Sequence, residues 1–135
     1  MKIVVIDGQG GRLGQQIVEG IKKNAMDAEV YAIGTNSIAT SAMVSAGADF
    51  GATGENPVIV ACRDADVIIG PIGIIAADSL LGEISAEMAV AIGRSPAVKL
   101  LLPVNRCNNQ IIGVKKLSMN EMIKETIERL KDYVK

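Results

Sequence analysis

Three observations predict an α/β fold of the Rossmann-like class, a doubly wound and mainly parallel sheet with an antiparallel edge strand and a C-terminal helix. Short β-branched runs alternate with segments of helical spacing along the chain. Nearly half of the residues are hydrophobic but only 2% are aromatic. The core is therefore expected to be Ile, Val, Leu, Ala and Met, the usual filling of a parallel sheet covered by helices. Finally, the glycine-rich run Gly8-Gln9-Gly10-Gly11-Arg12-Leu13-Gly14 stands directly between the first strand and the first helix. At 135 residues the chain is expected to be one domain, since two separate cores of half that size would both be marginal.

The elements follow in order. Residues 2–7 form a continuous β-branched run ending at glycines, the pattern of a strand buried on both faces. Over residues 12–24 the spacing becomes helical, with Leu13, Ile17, Val18 and Ile21 on one face. Residues 29–34 read as a second strand and 37–46 as a second helix, capped by Asn36 or Ser37 and ended by Gly47. A short third strand is expected at 48–50. Residues 53–65 read as a helix with Pro57 near its first turn, although Val58-Ile59-Val60 also suits a strand. Residues 66–70 and 98–102 are apolar core strands, and 85–94 is a helix with Ser85 as its cap. The run 111–114 follows too closely for a parallel crossover, so an antiparallel edge strand is expected there. Residues 119–134 form the clearest helix, opened by the capping box Ser118-x-x-Glu121 and striped by Ile123, Ile127, Leu130 and Val134.

Composition excludes several functions. The net charge is −1, and no basic face with stacking aromatics is present for nucleic acid. There is no histidine, hence no Ser-His-Asp triad and no familiar zinc site; no metal is expected. Cys62 and Cys107 lie far apart without CxxC spacing, which suits a reducing compartment. Strand-like sequence begins at Lys2, leaving no room for a signal peptide. The apolar stretch 67–92 is broken by glycines, Pro71, Asp78, Glu83 and Glu87, which a membrane span would not carry. A cytoplasmic protein is the expectation.

The position of the glycine loop gives it meaning. Amides at the start of a helix lack intrahelical partners and, with the helix dipole, favour an anion; glycine lets the backbone approach a pyrophosphate closely. Gly8, Gly11 and Gly14 fit G-x-x-G-x-x-G, which resembles the loop of extended short-chain dehydrogenases, while Gly11-Arg12-Leu13-Gly14 resembles the G-R-M-G of dihydrodipicolinate reductases. That resemblance implies a nicotinamide dinucleotide. A P-loop is excluded because Gln15 and Gln16 stand where a Lys and a Ser or Thr would be needed.

Over most of its length the chain also resembles a family of short bacterial proteins known only as a domain of unknown function. The segments that carry this are Val5-Ile6-Asp7-Gly8-Gln9-Gly10-Gly11, Ile38-Ala39-Thr40-Ser41-Ala42-Met43, Gly70-Pro71-Ile72-Gly73-Ile74 and Leu102-Pro103-Val104-Asn105. It implies a fold and a bacterial cytosolic setting, without an activity.

Further candidates surround the loop. After the second strand, where an NAD site would carry Asp or Glu for the ribose, the sequence has Thr35, Asn36 and Ser37. With Arg12 they can receive a 2′-phosphate, which favours NADP over NAD; alternatively Asn36 and Ser37 only cap a helix. Gly70, Pro71, Ile72 and Gly73 can leave space for a sugar or form an ordinary turn. Asn105, Arg106 and Cys107 can touch a ligand, or lead into a hairpin turn at Asn108-Asn109. Asp7 can bind a ligand hydroxyl or the loop amides. Asp64 and Asp66 are expected to be solvated. No catalytic residue is assigned. The function expected is a sensor or accessory protein binding NADP(H) or a related nucleotide. A homodimer or larger homo-oligomer is expected, because the stretch 71–81 is more apolar than a monomer's surface need be. The alternative functions are a small oxidoreductase whose site is completed at that dimer interface, and a structural domain whose glycine loop binds nothing.

Overall fold

The structure, a computed structural model, describes residues 1–24, 26–104 and 108–134. Five strands, β1 (Lys2–Asp7), β2 (Glu29–Gly34), β3 (Phe50–Thr53), β4 (Val67–Pro71) and β5 (Val98–Leu102), form one sheet in the order β3-β2-β1-β4-β5. Every pairing is parallel. The helices are α1 (Arg12–Lys23), α2 (Ser37–Ser45), α3 (Glu55–Cys62), α4 (Ala86–Arg94) and α5 (Met119–Lys131), with a 3-10 turn at Ile72–Ile75.

Alternation along β1 builds both layers. Val4 and Ile6 pack with Val58 and Cys62 of α3 and with Met88 and Ile92 of α4. Ile3 and Val5 face the other way, onto Leu13, Ile17 and Ile21 of α1, Met43 of α2, and Ile127 and Leu130 of α5. β1 is buried on both faces because it is central, as its unbroken β-branched sequence requires. The strand order reverses between β1 and β4, so the carboxyl ends of these two strands flank the crevice where doubly wound sheets bind ligands.

Several boundaries differ from the sequence reading. Among the described residues no strand forms at 111–114 and the sheet has no antiparallel edge: Gly113 takes φ 84 there, which breaks an extended run, and Ile112 is 92% exposed. The third strand begins at Phe50 because Asp49 has another task, accepting from the Val30 amide at 2.8 Å and from Lys22 Nζ. The ambiguous 53–65 segment is helical from Glu55, after Gly54 at φ 106. α5 ends at Lys131, three residues early, although Val134 still packs against its core. Asp64 and Asp66 are not merely solvated. Lys2 binds both, through Nζ to Asp64 Oδ1 at 2.5 Å and through its amide to Asp66 Oδ2 at 2.7 Å, fixing the start of β1. Among the described residues no helix is long and apolar enough to cross a membrane.

Candidate functional site

The glycine loop is organised by Asp7, the last residue of β1. Its side chain is 3% exposed. Oδ1 accepts from the Gly8 amide at 2.8 Å and Oδ2 from the Gly14 amide at 2.7 Å, so one carboxylate ties both ends of the loop together. Burial pushes the Asp7 carboxyl above its ordinary value; the two amide bonds oppose this, and the negative charge of Glu83 adds to it. The bond to loop amides, one of the two sequence readings of Asp7, is thus formed. The Gly11 amide closes the turn on the Gly8 carbonyl at 2.9 Å.

Gly11, at φ 72, is the N-terminal cap position of α1, and it has two reasons to be glycine. The left-handed conformation is one. The other is packing: a Cβ there would lie 2.6 Å from Cα of Ala39, so backbone of α2 occupies the space. Gly14 likewise faces Met43 and Asp7, whereas a Cβ on Gly10 would meet nothing within 4 Å. The three loop glycines Gly8, Gly11 and Gly14 thus serve close packing, and the extra glycine, Gly10, lies open. Among the described residues the amides of Gly10, Arg12 and Leu13 donate to no protein acceptor. The Arg12 side chain is exposed and forms no ion pair there.

The residue that the sequence reading missed is Glu83. Its Oε1 accepts from the Gln9 amide at 2.9 Å, from Thr35 Oγ1 at 2.5 Å and from Asn36 Nδ2 at 2.8 Å. A carboxylate therefore sits at the end of β2 after all, delivered from the segment that follows β4. Burial raises its pKa, but the bonds from Thr35, Gln9 and Asn36 outweigh burial and hold it below the ordinary glutamate value. Its trace in the sequence is one of three acidic residues, with Asp78 and Glu87, that interrupt the apolar stretch 67–92.

The backbone that delivers Glu83 is unusual. Asp78, Leu80 and Leu81 take φ 66, 56 and 56, and Gly82 takes φ 88. Left-handed conformation costs on the order of 1–2 kcal/mol for each non-glycine residue. The Asp78 amide bonds Ile84 O at 2.7 Å and the Ile84 amide bonds Ser79 O, closing the neck of this loop. Ser79 Oγ also donates to the Gly73 carbonyl. Leu80 offsets part of the cost by burial at 2% exposure, resting over Gly8, where an added Cβ would lie 3.0 Å from Leu80 Cδ1 and 2.9 Å from Glu83 Oε1.

The other candidates divide. Thr35 and Asn36 lie beside the glycine loop, both bonded to Glu83. Asn36 also caps α2 by accepting from the Ala39 amide at 2.9 Å, and its Nδ2 reaches the Gln9 carbonyl at 2.9 Å, so capping and loop contact coexist. Ser37 is exposed on the first turn of α2 and is not the cap. Gly70 and Pro71 form no open loop, because they are the buried end of β4, paired with Leu101 and Leu102. Ile72 and Gly73 begin the 3-10 turn that leads to the Glu83 segment. Asn105, Arg106 and Cys107 lie outside the described residues. Much of the apolar stretch 71–81 is consumed by the protein's own core, with Ile74 and Leu80 buried; Leu81 is 95% exposed and Ile75 42%. Among the described residues no cluster of three or more potential ligands is placed to hold a metal ion.

A parallel, doubly wound α/β sheet with a glycine-rich turn at its switch point places the protein in the Rossmann-like class. The chain belongs to the family described as a domain of unknown function, DUF3842, whose model matches residues 2–135. No curated protein matches the sequence. Among solved structures it is similar to a dodecameric FMN-dependent Ubix-like decarboxylase from Escherichia coli O157:H7, at a TM-score of 0.46 and 16% identity, over 98% of this chain and 93% of that one.

Proposed function

We propose that the protein binds a phosphate-bearing nucleotide at the glycine loop and works as a sensor or accessory protein. One observation carries this reading: after Asp7, Glu83 and the Gly8 carbonyl have taken their donors, the amides of Gly10, Arg12 and Leu13 find no acceptor among the described residues, at the positive end of α1 and beside a glycine with open space around it. Both oxygens of Asp7 are committed to loop amides, so Asp7 is a positioning residue of the loop rather than an acid or base for chemistry.

NADP is favoured over NAD where no acid follows β2. Glu83 occupies that place, so a 2′-phosphate beside Thr35 and Asn36 would meet a carboxylate. The ligand proposed is therefore a nucleotide with free ribose hydroxyls, of which NAD is the reference probe. The test is thermal unfolding with and without millimolar NAD, NADP, ATP or FMN, joined to native mass spectrometry of the purified protein. A nucleotide that raises the melting temperature and appears as a one-to-one mass adduct supports the proposal. No shift and no adduct with any of the four overturns it.

A further inference from the structure

We propose that Glu83 is the latch of a small lid: residues 78–83 are held shut over the glycine loop by its carboxylate, and the donors it occupies become available when they swing away. The purpose of such a latch rests on the nucleotide reading, but its existence does not.

The contact joins parts of the chain that are remote in sequence. Glu83 lies 74 residues from Gln9 and 48 from Thr35. Through one oxygen it gathers the amide of the glycine loop, the hydroxyl that follows β2 and the capping side chain of α2. Those three groups are all donors, and what they bind here is an anion, so the carboxylate stands where an anionic or hydroxyl-bearing ligand would find its partners. Glu83 Oε2 accepts nothing from the described residues.

The segment has the build of a part that moves as a unit. Its neck is closed by the paired bonds between residues 78–79 and Ile84. Ile74 and Ile84 on either side are fully buried and anchor it to the core beneath. Its tip runs through left-handed residues closed by their own backbone bonds, from the Gly82 amide to Asp78 O and Ser79 O and from the Glu83 amide to Leu80 O. The segment is tied to the rest of the chain by the Ser79 contacts to Ala76 and Gly73, by Leu80 over Gly8 and by Glu83 on its three donors. Gly8 is part of the device. Its φ is not in the left-handed region, so glycine is needed there for space alone, and the space is taken by the ends of Thr35, Glu83 and Leu80. Release of the latch would uncover the Gln9 amide, Thr35 Oγ1 and Asn36 Nδ2 together, whereas the bonds of Asp7 would keep the loop in shape.

The experiment is hydrogen exchange, read by mass spectrometry or NMR on the full chain without ligand, comparing the parent with Glu83→Ala and Gly8→Ala. The first variant removes the carboxylate; the second leaves it in place and pushes it off with a methyl group. Both are expected to accelerate exchange of the Gln9 amide and of the hydrogen-bonded amides of Gly82 and Glu83 by about tenfold or more, the scale for losing one charge-assisted hydrogen bond from a local opening, with β1 amides 4–6 unchanged. If exchange at Gln9, Gly82 and Glu83 is the same in all three proteins, there is no latch. If β1 loses protection along with the segment in both variants, residues 78–83 belong to one cooperative core and the proposal is equally overturned. Because no nucleotide is present, neither result depends on whether one binds.

Discussion

The carboxylate of Asp7 reaches across the glycine loop to the amide of Gly14 at 2.7 Å while its other oxygen holds Gly8, seven residues of chain being closed by one side chain. The tie fixes the loop from within the chain. Asp7→Asn preserves size but turns one acceptor into a donor, leaving a buried amide facing an NH2 group. A loss of about 1–3 kcal/mol is expected, the cost of one unsatisfied buried donor. Urea denaturation measures it, and an unchanged midpoint would show that the tie contributes nothing.

Gly10 and Gly11 are neighbours with opposite tolerances. On sequence alone, Gly11→Val would be expected to abolish nucleotide binding with a modest effect on the fold. In the structure the added Cβ would strike backbone of Ala39 and the valine would have to hold φ 72, so the fold itself should lose about 3 kcal/mol or more. Gly10→Val is the informative change. Its Cβ meets nothing, so stability should alter by less than about 1 kcal/mol while the approach of a phosphate to the loop is obstructed. Equal nucleotide affinity in Gly10→Val and the parent would make the loop a structural turn.

The layers of the fold were legible because periodicity in this sequence reports burial. β2 and β5 occupy 29–34 and 98–102 as read, and the Ser118–Glu121 capping box opens α5 through reciprocal bonds of 3.2 and 2.9 Å. Apolar runs whose fate depended on distant packing were not legible. Ile111-Ile112-Gly113-Val114 resembles a strand in composition, yet Gly113 turns it aside. The stretch 71–81 resembled a surface patch, yet Ile74 and Leu80 belong to the core. Around the glycine loop, the placement of Asp7, the glycines, Thr35 and Asn36 was legible because they adjoin strand ends. Glu83 was not: its place beside β2 is created by a left-handed loop after β4, and no local spacing encodes a contact over 48 residues.

Glu83 should also leave a mark on acid stability. Its pKa in the folded protein is lowered, so its contribution is fully present above the ordinary glutamate value of 4.5 and is lost as pH falls through the lower, folded value. Asp7 acts with the opposite sign. Its raised pKa makes the folded state the better proton acceptor, so stability from that group declines as pH rises from its ordinary 3.8 through the folded value. Glu83→Gln should cost about 1 kcal/mol at pH 7 and progressively less below pH 4.5, so the two stability curves converge in acid. Parallel curves from pH 7 to pH 3 would contradict the bonded, ionised state of Glu83.

The last prediction separates the two dinucleotides. A ligand at about one hundred times its dissociation constant adds about 2.7 kcal/mol, and in a domain of this size that raises the melting temperature by roughly 5–15 °C. NAD needs the free amides of Gly10, Arg12 and Leu13 for its pyrophosphate, and its ribose hydroxyls can approach Glu83 as donors. NADP would bring a 2′-phosphate to the same place, and the two anions would repel unless Glu83 gave up Gln9, Thr35 and Asn36. NAD should therefore stabilise the parent protein more than NADP does at equal concentration. Glu83→Ala should narrow or reverse that order, since the vacated donors suit a phosphate, and Arg12→Ala in that background should weaken NADP more than NAD because Arg12 is the exposed cation at the start of α1. The measurement is a thermal-shift series over both dinucleotides with the parent and the two variants. If NADP stabilises the parent as much as NAD, Glu83 does not select at the ribose; if neither dinucleotide moves the transition at millimolar concentration, the glycine loop holds some other ligand or none.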